Sequence, residues 1–593
     1  MPEKRGAPFE AVARHWRPLL ALGFVIIAVM MIRERWAVIQ GFGLGDTDDN
    51  MRMMQVRALL EGQGWYDLRQ YRMNPPFGAD IHWSRLVDLP IAGLKLLFTP
   101  LLGGRTAELV AVTVAPLLAM LVALVALAVT VRRLVDGRAL LFVLVLVYCA
   151  GSTRGMWAPL RIDHHGWQLA MLAVALVALT DPRRARGGVL LGVATALSLA
   201  IGMEMLLYFA VAGGVTVARW IIDREQARRL FAYGVALGGG CALAFLLFAS
   251  EANRAPVCDA LSPVWLSAMV LAGAIAVVLA WINPASAAMR LLAAALAGGA
   301  LAGAFALTWP DCVGRLERSS PELQRLWLDK VREAMPVWRH GARIAALIVT
   351  LPIAGLIGYG LMIWRHRRDP ERLIPWLSVA SLALLSAALL LWQTRAGPAA
   401  QLLSIPGATA LIWTATVWIL TQRSMLARIA GVVVVVLIVS GLVTGSITRL
   451  FPNRVTPYRQ GVNLANARCP SLAALRPVAR QPRGTVLTFV DLGPRLITVT
   501  PHNAIAGPYH RNGQQIVDVM RAWRGDADNA FATVRRYRID YVLICPNLSE
   551  STIYRSEAPN GFYGQLLQGR VPTWLAPVPL PRDSPYRMWR VVR

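Results

Sequence analysis

Stretches such as 107–131, 230–250 and 426–446 run for more than twenty residues on Leu, Val and Ala, with at most one charge apiece. A helix needs about 20 apolar residues to cross the hydrocarbon core of a bilayer. Inside lipid every backbone N–H and C=O must be paired within the segment, so stretches of this kind become helices. The chain repeats the pattern along most of its 593 residues, and 56% of them are hydrophobic. Soluble domains run at roughly 45–50%. The fold class is therefore an α-helical polytopic membrane protein. The predicted spans are 17–35, 107–131, 138–152, 165–180, 187–203, 205–221, 230–250, 262–282, 288–308, 341–364, 373–392, 398–421 and 426–446. The first is read as a retained span rather than a cleaved leader, since no small-residue cleavage site follows it.

The net charge of +27 first suggests nucleic acid. Its placement argues otherwise, because much of it lies in short loops between spans. Arg132–Arg138, Arg183–Arg186, Arg219–Arg229, Arg290, Arg365–Arg372 and Arg423–Arg428 all fall on one side when the spans are counted from a cytoplasmic N-terminus. That is the bias of cytoplasmic loops. Membrane lipids and phosphate groups are the expected partners, and no nucleic acid is. The other side receives two long loops, 36–106 and 309–340, and everything after 447. The first loop holds a short apolar stretch at 89–101 that reads as interfacial. The second holds a helix predicted over 319–335, begun by Ser320-Pro321. Residues 447–593 change texture, with buried strands at 484–491 and 540–546 and helices at 514–525 and 527–538. They predict a small α/β domain beside a membrane domain of residues 1–446. Of six cysteines, Cys149 and Cys241 lie in spans, and Cys258–Cys312 is the preferred disulfide because both sit in loops of one face.

Four polar constellations interrupt this pattern on the same side. Asp46, Asp48 and Asp49 crowd together just after the first span. Close carboxylates repel, so such a cluster suggests a cation or a shared proton, or else a solvated loop whose Asp caps the next helix. Arg161-Ile162-Asp163-His164-His165 opens the fourth span and offers oxygen and nitrogen ligands close together; helix capping is the alternative. Glu333 lies in the long second loop, where a solvated face would also accept it. Arg395 in Gln393-Thr394-Arg395 stands at a span boundary, where a guanidinium can grip phosphate in two-pronged fashion or simply snorkel. Glu204, near a span end, has no assigned role.

In this order the four segments resemble those of oligosaccharyltransferase catalytic subunits, within the GT-C membrane glycosyltransferases. Asp46 to Arg52 is similar to the D-x-x-x-N-x-R of the first loop, and Asp163-His164-His165 to the Asp-His-His of the next. Val331-Arg332-Glu333-Ala334-Met335-Pro336 resembles SVSEHQP, and Gln393-Thr394-Arg395 resembles the late Q-x-R. The WWDYG signature is degenerate: Phe489-Val490-Asp491-Leu492-Gly493 keeps the Asp and Gly and loses both Trp. The resemblance implies about thirteen spans and a sugar donor linked to polyprenyl phosphate or diphosphate. It implies a divalent metal, Mn2+ or Mg2+, on Asp46, Asp163 and His165, with inverting transfer. Arg395 would hold the donor phosphate, and Asp46, Asp48 and Glu333 would serve catalysis. Arg52, Asp491 and His510 would contact acceptor or substrate. With the two Trp gone, the expected acceptor is an envelope glycan, lipid or protein outside a bacterial inner membrane. A lipid-linked sugar transporter and a non-catalytic scaffold are the alternatives.

Overall fold

The computed structural model describes residues 7–314, 319–450 and 455–592. Among them, nine helices are long and apolar enough to cross a membrane, or ten if the bent pair Met425–Val439 and Leu442–Leu450 is one span. Shorter apolar helices cover Gly137–Cys149, His165–Leu179 and Leu206–Ile222. Each predicted span coincides with one of these helices. The protein is a multi-pass membrane protein.

Burial sorts the helices into a centre and a rim. The spans Gly104–Leu134 and Thr394–Ile419 bury 61% and 67% of their apolar windows, whereas the window of Ala287–Thr308 buries 0%, which puts that helix at the rim. Lipid is as apolar as Leu, so contact between spans depends on close fit and not on hydrophobic expulsion. Small residues supply that fit. A Cβ on Gly358 would collide with the Gly407 carbonyl of the neighbouring helix, so these two glycines let Ala342–Arg365 and Gly397–Ile419 touch backbone to backbone. On the Arg-rich side, Asp181 is held by Arg133 at 3.2 Å and Arg186 at 2.6 Å.

The region after 455 is built on a five-stranded sheet in the order β2-β1-β3-β5-β4. Its strands are β1 (Thr485–Leu487), β2 (Asn503–Ala504), β3 (Tyr541–Ile544), β4 (Leu575–Pro577) and β5 (Arg587–Val591). β1 runs parallel to both β2 and β3, and β5 is antiparallel to β3 and β4. The chain leaves β1 to one side for β2 and crosses to the other side for β3. Loops that follow strands at such a switch point open a crevice. Of the predicted elements, the strands at 484–491 and 540–546 and the helices Gly513–Arg524 and Ala527–Arg536 are present; β2, β4 and β5 had no sequence signal strong enough to predict them. Cys258–Cys312 is a disulfide, and so is Cys469–Cys545.

The first long loop does not wander over the surface. Met73 pairs in parallel with Ala504 and extends the sheet edge past β2. The Arg72 guanidinium donates to the carbonyls of Ile497, Thr500 and His502 at 2.5–2.7 Å. Met51, Met54, Met73 and Trp83 share one apolar core with the sheet. The stretch at 89–101 lies in the helix Asp88–Leu102, with Leu96, Leu97 and Leu101 exposed. In the second loop the predicted helix shrinks to Pro321–Leu326, capped by Ser320. Beyond Trp327 the backbone tightens into short 3-10 turns that carry Glu333.

Candidate active site

Asp46 caps the helix Thr47–Leu60: one carboxylate oxygen accepts the Asp48 N–H, and Asp49 reaches back to the Asp46 N–H at 3.2 Å. This reciprocal cap fixes the first loop's acidic cluster on a helix N-terminus, where negative charge is favoured. The same Asp49 reaches across to the segment that precedes the helix His165–Leu179. Its other oxygen accepts the N–H groups of Ile162 at 2.8 Å and Asp163 at 3.1 Å. Two segments more than a hundred residues apart are thereby locked together.

Arg161 is the hinge of the arrangement, and sequence reasoning did not single it out. Its guanidinium pairs with Asp46, with Asp163 at 2.6 Å and with Asp49 at 3.5 Å. Burial works to raise the Asp46 carboxyl, but Arg161 holds it down at about 2. Asp163 is also lowered by Arg161 against its burial. For Asp48, burial and the charges of Asp46 and Asp163 outweigh Arg161 and Arg395 and push the carboxyl well up. Burial and the neighbouring carboxylates push Asp49 well up as well, although Arg161 opposes the rise.

Beside them stands a second group. His164 is buried, and its Nε2 meets Glu204 Oε1 at 2.8 Å. Gln168 donates to the other Glu204 oxygen at 2.6 Å. The His165 ring packs at a tilt against His164, with ring centroids 4.3 Å apart. Ligand atoms of His164, His165 and Glu204 all lie within 4.8 Å of one another, the one such group among the described residues. The predicted trio of Asp46, Asp163 and His165 is not gathered at that spacing, because Arg161 stands between the two aspartates. Glu204 is not an isolated carboxylate inside a span, since it occupies the turn between Arg184–Ile201 and Leu206–Ile222.

The remaining predicted residues divide. Arg395 pairs with Glu333 at 2.5 Å, both side chains about half exposed, and its charge is felt by Asp48 and Glu204. Asp491 lies on the turn after β1, within electrostatic reach of Asp46. Enclosure by protein and the charge of Asp46 raise its carboxyl to about 6. His510 and Arg511 both grip Asp259, next to the Cys258–Cys312 disulfide, at 2.5 and 2.7 Å. The His82 ring packs at a tilt against His510 at 4.7 Å and lies 6.4 Å from His164. Arg52 is placed differently from its expected substrate-contacting position: it is fully buried, pairs with Asp88 at 2.8 Å and lies over Trp83. Its guanidinium is closed off from solvent.

The turn bearing Asp491 is held from below by Glu550, on the loop after β3. Its carboxyl accepts the N–H groups of Val490 at 3.0 Å and Asp491 at 2.7 Å, and the Tyr554 hydroxyl. Burial and the Asp491 charge raise it to about 8 despite these donors. A carboxyl whose folded value lies above its unfolded one stabilises the fold fully below the unfolded value, and that contribution fades as pH rises through the folded value. Melting of the intact chain should therefore fall as pH climbs from about 4.5 past 8. E550Q should flatten that slope; a slope unchanged in E550Q would contradict the assignment.

No protein-family model matches the sequence, and no curated protein matches it. Solved structures do. The Archaeoglobus fulgidus oligosaccharyltransferase AglB, in complex with an inhibitory peptide and a dolichol-phosphate, superposes with TM-score 0.66 at 13% identity, over 92% of this chain and 71% of its own. The form of the archaeal enzyme tethered to an acceptor peptide containing the NVT sequon gives 0.65 at 13% identity, over 92% and 71%. Its complex with Zn and sulfate gives 0.57 at 13%, over 88% and 67%. The chain carries the GT-C fold of the oligosaccharyltransferases over nearly all of its length.

Proposed function

We propose that the protein is a membrane glycosyltransferase that moves a sugar or oligosaccharide from a polyprenyl-phosphate or -diphosphate donor to an acceptor on the outer face of a bacterial inner membrane. One observation carries this reading. The acidic first loop, Arg161 and Asp163, the Glu333–Arg395 pair and Asp491 of the sheet lie within electrostatic reach of one another. The lipid-phosphate and the peptide held by the archaeal structures are consistent with a donor and an acceptor meeting there.

The reaction asked of such a site is a single displacement. The acceptor atom attacks the anomeric carbon, the bond from that carbon to the phosphate oxygen breaks, and the lipid phosphate leaves with its electron pair. Arg395 is fit to take that phosphate: its guanidinium offers a fork of donors and stands at the end of a span, where a lipid headgroup lies. Glu333 holds the fork in place until the phosphate arrives and then stands on the acceptor side. Asp46, ionised at neutral pH, orients the acceptor, and Asp48, pushed upward, can take up its proton. Asp491 faces the acceptor from the sheet, in the place of an aromatic sequon reader.

The donor set also suits a divalent cation. Carboxylates outnumber guanidinium groups, and the buried Asp163 Oδ2 has an ion-pair partner but no aligned hydrogen bond. Asp46, Asp163 and His165 are the residues the sequence assigns to it, and a bound cation would offset charge on the departing phosphate. The archaeal complex with Zn and sulfate is in keeping with a metal and an oxyanion at such a site.

Transfer from a polyprenyl-linked sugar to envelope acceptors, measured with the purified full chain, tests the proposal. R395A should lower kcat/KM by about 10²-fold or more, the scale of a lost charge-stabilising donor. Wild-type protein that moves the intact lipid-linked sugar across the bilayer without releasing lipid phosphate would support a transporter instead.

A further inference from the structure

The last span does not run straight. Met425–Val439 and Leu442–Leu450 meet at 71°, and the elbow turns on Gly441, whose φ of +80° suits a residue without a side chain. The second arm lies along the start of the helix Ala342–Arg365. A Cβ on Gly441 would stand 3.5 Å from Thr350, and one on Gly445 would stand 3.5 Å from Leu347. As one helix advances by a turn the other retreats by a turn, so the two run in opposite directions. One turn further on, Arg449 comes level with Arg343, because residues four apart share a helix face.

Among the described residues neither guanidinium has a hydrogen-bond or ion-pair partner, and both side chains are exposed. Glu333, the carboxylate nearest to Arg343 in sequence, is engaged by Arg395. No Asp or Glu lies between Glu371 and Asp491, a stretch that contains the whole elbow. Arg343 also stands in the first turn of its helix, where the helix dipole disfavours a cation. Two like charges held level in such a place repel unless an anion joins them.

The surroundings identify the anion. His340 Nε2, just ahead of the helix, lies 3.1 Å from Thr394 Oγ1, next to Arg395. The pair is therefore on the side of the candidate site, opposite the Arg-rich loops, where basic residues are ordinarily scarce. Trp338, Ile344, Ile447 and Leu450 present apolar side chains outward around it. Such a collar marks a membrane–water boundary, where Trp in particular gathers. A free anion gains nothing from the collar. An acidic phospholipid uses both features, its phosphate on the guanidinium groups and its acyl chains on the apolar side chains.

We propose that Arg343 and Arg449 form a docking site for the phosphate of an anionic phospholipid, drawn from the leaflet on the side of the candidate site, and that this lipid clamps the elbow of the last span to Ala342–Arg365. Neither arginine takes part in the proposed sugar transfer, so the lipid site stands or falls separately from it.

Dioleoylphosphatidylglycerol is the probe, titrated into the delipidated full chain in neutral detergent with the melting temperature as readout. It should raise the melting temperature, dioleoylphosphatidylcholine should do so far less, and inorganic phosphate should not. R343Q/R449Q should need roughly tenfold more phosphatidylglycerol for half the rise, the scale of two basic side chains lost from an anionic surface. R367Q/R368Q, at the other end of Ala342–Arg365, should stay within about threefold of wild type, because charges a bilayer apart are screened from one another. R449E supplies Arg343 with the carboxylate it lacks. It should melt above wild type without lipid and respond little to phosphatidylglycerol, so that a lost response is not lost folding. A wild-type midpoint in R343Q/R449Q, an equal loss in R367Q/R368Q, or protection by inorganic phosphate would overturn the site. Stronger protection through this pair by a polyprenyl phosphate than by phosphatidylglycerol would also overturn it, and would place the pair on the path of the donor.

Discussion

D46N should lose sugar transfer by about 10²-fold or more and still fold. Proton handling and orientation by a placed carboxylate contribute roughly 10²–10⁴-fold. The substitution isolates that contribution for a structural reason. Asp46 is a helix cap as well as an acid, and Asn caps a helix about as well as Asp does. The amide oxygen can still accept the Asp48 N–H, so the helix Thr47–Leu60 keeps its start. What disappears is the charge beside Arg161, and with it the alignment of Arg161 toward Asp163. Turnover should collapse while melting of the purified chain changes by only a few degrees. D46A would confuse the two effects, since loss of a cap alone costs about 0.5–2 kcal/mol. Full turnover in D46N would remove Asp46 from the chemistry.

The second large effect is one of stability and lies under the site. Arg52 and Asp88 are both fully buried and meet at 2.8 Å, with Arg85 also within 3.5 Å of Asp88. Burial lifts the Asp88 carboxyl even with two guanidinium groups beside it. Removing one partner of a buried pair strands a charge and costs about 3–5 kcal/mol. R52A should therefore lower the melting temperature strongly and loosen Trp83, over which the guanidinium lies at 4.6 Å. Replacing both residues by apolar ones of similar volume is often neutral, because neither charge then needs solvation. R52M/D88L should melt above R52A. The reverse order would mean that the charged pair stabilises the fold more than apolar packing does, contrary to a stranded-charge explanation of R52A.

How far the sequence foretold these features depends on the range of the interaction concerned. The spans were legible because each is decided within its own twenty-odd residues by hydropathy. The start of the helix Pro321–Leu326 was legible in Ser320-Pro321 for the same local reason, while its end was not. The apolar spacing continues past Trp327, but the chain tightens into short turns toward Glu333. Cys258–Cys312 could be paired because span counting put both residues on one side. Cys469–Cys545 depends on how the sheet closes, 76 residues apart, and no local signal carries that.

The site divides along the same line. Asp46, Asp163, His165 and Arg395 stood out as charged or polar residues at span ends, where such groups are costly to keep. Arg161 was passed over beside the Asp-His-His run, since its meaning appears only when a loop 115 residues away folds onto it. Once there it separates Asp46 from Asp163, and that is why the expected metal trio is not the preformed one. Glu204 was visible as an expensive carboxylate, but its partners His164 and Gln168 come from another helix start, 36 to 40 residues earlier. Arg52 is a motif residue whose burial and pairing with Asp88 were not legible in its local sequence.

The account rests on a lipid-linked sugar being seated between Arg395 and the Asp46 cluster. Mass spectrometry of the detergent-purified full chain, released from native membranes, measures this directly. A polyprenyl phosphate or diphosphate bearing a sugar should co-purify with wild-type protein and be depleted in R395A. A lipid complement made only of bulk phospholipid, identical in both proteins, would contradict it.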